Sequence, residues 1–148
     1  MSDGLETLLA KQAITETLYR YCHAVDRIDP DLGAQIWNED GLAHYGEIFE
    51  GTGAEFIDFV FDQHRSCDVT SHQLTNILIE VDGNRADSES YVTACIRAFG
   101  VDVTVRGRYM DTLSCRSGVW GIDERRHVDD IMQVVPVGDV ELPSIPES

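Results

Sequence analysis

SHQLTNILIEVDGNRADSESYVTACIRA, residues Ser71 to Ala98, is the stretch on which the fold turns. Two strand-forming runs flank Asp82-Gly83-Asn84, a triplet whose Gly and Asn accept positive φ. The whole reads as a long β-hairpin. By the two-residue period, His72, Leu74, Asn76 and Leu78 share one face. Gln73, Thr75, Ile77, Ile79 and Val81 share the other, the more apolar row. The His72 row mixes polar with apolar residues, and two readings of it stand. A sheet curled around a small-molecule pocket uses such a face, because pockets are mostly apolar with a few placed polar groups. A solvated outer surface carrying His72 accounts for it equally.

Beyond the hairpin, Val101 to Leu113 reads as a third strand, Ser114 to Gly118 as a turn and Val119 to Val128 as a fourth strand. From Asp129 onward, with Pro136, Pro143 and Pro146, no helical or strand period remains. The domain is therefore taken as residues 1–130 and the rest, 131–148, as an extended tail.

Before the hairpin the pattern is helical. Ser2 and Asp3 cap a helix from about Leu5 to Arg27, with Ile14, Leu18, Tyr21, Cys22 and Val25 as its apolar stripe. At 100° per residue, Asp26 lies about 40° from Cys22 and about 20° from Tyr19, at the edge of that stripe. A carboxylate in the last turn opposes the helix dipole, so something else must hold it unless it is solvated. Asp29-Pro30-Asp31 opens a short helix to Trp37, its large anchor. Gly41 to Phe49 reads as a strand placing Tyr45 and Ala43 on one face. Thr52 or Gly53 leads a second long helix to about His64, with Phe56, Ile57, Phe59, Val60 and Phe61 along it. Helices followed by serial antiparallel strands indicate an α+β domain.

The 148 residues fit one domain with a real core. Net charge is −16 and the pI near 4.4, which argues against nucleic acid, anionic membranes and highly anionic substrates. No apolar run approaches the ~18 residues of a membrane helix. The acidic start MSDGLETLLAKQ lacks signal-peptide character, so a cytoplasmic location is expected. Cysteines stand at 22, 67, 95 and 115 without zinc-type spacing and read as small residues of the core or pocket wall. GxGxxG, P-loop, GxSxG, HExxH and EF-hand motifs are absent, which points to a pocket without cofactor or metal, or to none. The residues left to carry chemistry are Asp26, His72 and Tyr45, with Tyr19, Cys22, Trp37, Asn76 and Arg125 as substrate contacts; Arg106 and Arg108 are further candidates.

The ordered set YCHAVDRID (Tyr21 to Asp29), WNEDG (Trp37 to Gly41), SHQLTN (Ser71 to Asn76), GRYMD (Gly107 to Asp111) and VWGIDERR (Val119 to Arg126) resembles the SnoaL-like branch of the nuclear transport factor 2-like superfamily. The resemblance covers about residues 5 to 130. It implies a strongly bent antiparallel sheet forming a cone, closed by N-terminal helices around one deep pocket. The members most similar in these motifs are scytalone dehydratase, hexachlorocyclohexane dehydrochlorinase and the small subunits of ring-hydroxylating dioxygenases. In the two enzymes an Asp at the end of the first helix orients a His that acts as base. Residue by residue this implies Asp26 and His72, and Tyr45 matches a tyrosine that positions the substrate carbonyl. Val25 stands where the dehydratase has a second tyrosine. No histidine stands near Ala94 to Arg97, where the dehydratase has its second one.

The chemistry of such a dyad stands apart from the names. A neutral imidazole takes a proton near pH 7 once its tautomer is fixed, and a carboxylate on the other ring nitrogen fixes it and stabilises the imidazolium. The leading expectation is a cofactor-independent lyase or isomerase, dehydration first, acting on a small apolar or aromatic compound. The alternatives are a non-catalytic dioxygenase small subunit, serving a large iron-bearing subunit, and a small-molecule binding module. A homo-oligomer, trimer or dimer, is expected because Ile77, Ile79 and Val81 would lie bare on the convex face of the sheet.

Overall fold

The computed structural model describes residues 3–138. Helix α1 spans Asp3–Arg27, α2 Pro30–Gly33 and α3 Gly53–Arg65. The strands are β1 Trp37–His44, β2 Glu50–Thr52, β3 Val69–Asp82, β4 Arg85–Ala98, β5 Val101–Arg116 and β6 Val119–Pro136. One six-stranded sheet has the order β2-β1-β6-β5-β4-β3, antiparallel throughout except where β1 runs parallel to β6. The α+β class and the helices-then-strands order are as read. The sheet is curled, not closed, and α1 and α3 pack inside the curl. None of the described helices is long and apolar enough to cross a membrane.

Local chemistry explains the helix starts. Thr52 Oγ1 accepts from the Glu55 backbone N–H at 3.2 Å, and Glu55 accepts from the Thr52 N–H at 3.0 Å, a reciprocal cap that begins α3. Asp29 accepts from the Leu32 N–H at 3.0 Å, but α2 stops at Gly33. Trp37, expected to anchor that helix, instead opens β1. Its indole fills the place where a Cβ on Gly53 would lie 2.1 Å from Trp37 Cγ. The strand expected over Gly41 to Phe49 starts earlier, at Trp37, and stops at His44, where the chain turns through Gly46 at φ 61° and returns as β2 from Glu50.

Two corrections concern the long strands. Asn76 has φ 52° and sits where the β3–β4 register shifts, between Thr75 and Leu78. Its short polar side chain tolerates the left-handed region, and the resulting bulge reverses the faces. His72 and Leu74 face inward before it; Ile77, Ile79 and Val81 pack against the core after it. The apolar row expected on the convex face is therefore covered, and the outward hydrophobics of this hairpin are Val69, Leu78 and Tyr91.

The second correction lengthens β6. The tail was expected to begin at 131, yet pairing with β5 continues to Val101↔Pro136. A register shift at Arg106/Gly107 absorbs the acidic pair that masks the strand pattern. Gly107 is required there, since a Cβ would lie 2.2 Å from the Val128 carbonyl oxygen. Residues 139–148, the rest of the expected tail, lie outside the described residues.

Candidate active site

Asp26 ends α1 against the start of β3, and three donors meet its carboxylate. The His72 backbone N–H donates to Oδ2 at 2.8 Å, Thr70 Oγ1 donates to Oδ1 at 2.9 Å, and His72 Nδ1 lies 2.6 Å from Oδ1. The helix dipole that disfavours a carboxylate here is thus outweighed locally. Burial raises the Asp26 carboxyl, but the ring and backbone hydrogen bonds from His72, with that from Thr70, win and hold it below the usual carboxylate range. A proton on His72 Nδ1 follows from the ionised partner. Nε2 is left without a hydrogen bond among the described residues, on a ring that lines a cavity.

That cavity has a volume of about 380 Å³, in the range of small-molecule sites. Phe56, Phe59, Val60, Ile96, Val105 and Met132 make its walls, and Phe99, at the β4–β5 turn, stands 85% exposed on its rim. Its polar end holds three tyrosines, Tyr21, Tyr45 and Tyr109, with Tyr109 packed edge to face against the other two. Tyr45 Oη donates to Tyr21 Oη at 3.2 Å, and the Tyr45 ring lies 4.0 Å from that of Phe56. Burial pushes all three phenols well above their ordinary range, so they are hydroxyl donors at neutral pH.

Beneath the tyrosines lies a buried charge pair. Arg125 Nε and Nη2 donate to Asp111 at 2.7 and 2.9 Å, with neither side chain exposed. The guanidinium carbon sits 4.0 Å from the Tyr109 ring centre and 4.5 Å from that of Tyr21. Arg125, expected to touch substrate, is instead fully buried and supports the rings that line the cavity.

The other expected contacts divide similarly. Tyr45 lines the cavity. Cys22 is core, its thiol pushed up to about 12 by burial, and Trp37 packs behind Tyr21 and Phe56. Tyr19 is 45% exposed: seven residues from Asp26 is the same face, but two turns and ~10 Å away along the axis, beyond the cavity. Asn76 is carried outward by the bulge.

Two histidines escaped the sequence reading. His64, in the last turn of α3, donates from Nδ1 to the Val25 carbonyl at 2.9 Å, and its ring lies 5.5 Å from that of His72. Burial lowers its pKa, which keeps a second positive charge away from the dyad. The apolar surface of α3 was the available signal. His127 lines the cavity from β6, 5.0 Å from the Tyr45 ring, in a run too charged to suggest an inward face. Among the described residues no cluster of His, Cys, Asp and Glu is placed to hold a metal ion.

Residues 6–126 match the SnoaL-like domain. The chain belongs to this family. Solved structures agree on the fold of this SnoaL-like protein. A Novosphingobium aromaticivorans protein provisionally named a scytalone dehydratase is 25% identical, with TM-score 0.79 over 95% of this chain and 97% of that one. Hexachlorocyclohexane dehydrochlorinase LinA-type3 from Novosphingobium barchaimii is 17% identical, with TM-score 0.81 over 97% of this chain and 100% of its own. A second N. aromaticivorans protein, provisionally named an aromatic ring hydroxylase, is 24% identical, with TM-score 0.74 over 85% and 92%. No protein of curated description matches the sequence at a significant level.

Proposed function

We propose that this SnoaL-like protein is a cofactor-independent lyase acting on a small apolar or aromatic carbonyl compound, with dehydration as its reaction. The Asp26–His72 contact of 2.6 Å inside a largely apolar cavity carries the reading. His72 Nε2 takes a proton from carbon beside the carbonyl, Asp26 stabilises the imidazolium, and the Tyr45 hydroxyl donates to the developing oxyanion. The likeness to the structure named for scytalone dehydratase supports the same reaction class. A non-catalytic subunit has no use for an imidazole held by a carboxylate that is itself held by three donors, so that reading is the weaker one.

The test is turnover of an aryl β-hydroxy ketone, 4-hydroxy-4-phenylbutan-2-one, followed by ultraviolet absorbance of the conjugated enone, beside mass spectrometry of small molecules extracted from the purified protein. Enone formation above the buffer rate supports the lyase. A retained ligand released unchanged, with no enone formed, points to a binding module and overturns it.

We also infer a homo-oligomer, now on different ground. The outer end of β6 exposes Ile131, Met132, Val134 and Val135, each more than half exposed, apolar area of the kind that marks an interface. Sedimentation velocity at micromolar concentration should show a dimer or trimer; a single monomer boundary refutes it.

A further inference from the structure

The cavity holds a second carboxylate–imidazole pair that the mechanism above does not use. His127 Nε2 lies 3.0 Å from Asp129 Oδ1, with the His127 side chain 12% exposed. Both residues line the same cavity as His72. The two imidazoles stand at the ends of a run of rings: His72 to Tyr21 is 6.5 Å between centroids, Tyr21 to Tyr109 is 5.7 Å and Tyr109 to His127 is 5.2 Å. A substrate lying on the tyrosines therefore has an imidazole at either end.

Base chemistry at His72 needs only one of them. The other matters when the leaving group departs poorly as an anion. Hydroxide is such a group: an enolate expels it slowly unless a donor protonates the oxygen as the bond breaks, so that it leaves as water. The tyrosines are poorly suited to giving up that proton, because burial makes all three weaker acids than usual. Burial lowers the His127 pKa, so its imidazolium, formed beside Asp129, is a far stronger acid than any of the phenols and the strongest acid within reach of the cavity.

We infer that His127, oriented by Asp129, is the general acid of this site, and that its substrates are β-hydroxy carbonyl compounds whose hydroxyl leaves as water. This rests on the His72 reading and deepens it. In the step, His72 Nε2 takes the proton from the carbon beside the carbonyl, and the C–H electron pair becomes the new C=C bond. The C–O bond breaks with its electrons on oxygen, which takes a proton from His127 Nδ1 and leaves as water. His127 ends neutral with its remaining proton on Nε2 at Asp129. His72 then returns its proton to solvent and His127 regains one.

Two ketones that share the acidic carbon separate the roles. 4-Hydroxy-4-phenylbutan-2-one must lose hydroxide, whereas 4-(4-nitrophenoxy)butan-2-one loses a phenoxide that needs no proton. For His127→Gln the ratio of hydroxy-ketone to nitrophenoxy-ketone turnover should fall by about 10²-fold, the lower end of what a positioned acid supplies. Asp129→Asn should move the ratio the same way, less far. His72→Ala should lose both reactions, with little change in the ratio. An unchanged ratio in His127→Gln, in protein whose melting temperature matches wild type, overturns the assignment. If wild type turns over neither ketone, the lyase reading falls, and His127 is judged separately by ¹⁵N chemical shifts of its ring. A neutral ring protonated on Nε2, with that preference lost in Asp129→Asn, supports the acid. A ring protonated on Nδ1 overturns it.

Discussion

His72→Ala is expected to lower turnover by about 10²–10⁴-fold while the protein stays folded, the loss usual for a positioned general base. The side chain is 7% exposed and faces a cavity, so its removal enlarges a space that substrate already fills. Asp26→Asn should cost a similar factor for a different reason. An amide can accept from the ring in one orientation, but it cannot stabilise an imidazolium, and it can hold the wrong tautomer. Tyr45→Phe should be milder, because two further phenols, Tyr21 and Tyr109, stand beside it. Steady-state kinetics on the hydroxy ketone give the ranking. Should Tyr45→Phe abolish the reaction while Asp26→Asn remains near wild type, the base is not His72.

The same dyad sets a pH limit on the fold. Asp26 has a folded-state pKa below its unfolded value, so its contribution to stability is fully present above the unfolded pKa of about 3.9. It is lost as pH falls through the lower, folded value. Asp26→Asn should remove that part of the acid dependence of unfolding.

The features legible in the sequence were those fixed by period and by local chemistry. The α1 stripe, the Thr52 cap and the Asp82-Gly83-Asn84 turn each depend on neighbours within a few residues, whereas whether His72 faces a pocket or solvent did not follow from them. The pairing of Asp26 with His72, in contact in the structure, came from the resemblance, since no local pattern ties a carboxylate at a helix end to an imidazole forty-six positions later. Asn76 shows the limit. A single residue in the left-handed region shifts the period, and strict alternation carried past it assigns Ile77, Ile79 and Val81 to the wrong face. His127 and the far end of β6 were hidden for a related reason. Asp129 and Asp130 look like a break in a strand, but the bulge opposite Gly107 absorbs one extra residue and the ladder resumes. Arg125, read as a substrate contact, lies instead fully buried in an ion pair. Its role depends on Asp111, fourteen positions earlier, coming beside it through the β5–β6 pairing, and no local pattern marks that.

That buried pair carries the largest expected stability effect. Asp111→Ala should destabilise the protein by about 3–5 kcal/mol, because it leaves the fully buried Arg125 cation without its counter-charge. For a chain of this size that is a fall in melting temperature on the order of 10 °C. The Tyr21 and Tyr109 faces, 4.5 and 4.0 Å from the guanidinium, soften the loss by about 1–2 kcal/mol at most and do not replace two charge-assisted hydrogen bonds. Arg125 Nη1 already lacks a partner, so no spare acceptor stands ready to take over. Removing both charges should cost far less than removing one: in Asp111→Leu with Arg125→Met, apolar side chains of similar bulk replace the pair and the uncompensated cation is gone. Urea unfolding of wild type, both single variants and the double variant measures the coupling directly. Single variants near wild-type stability, or a double variant as unstable as the sum of the singles, would mean that the pair is not what holds the tyrosine floor.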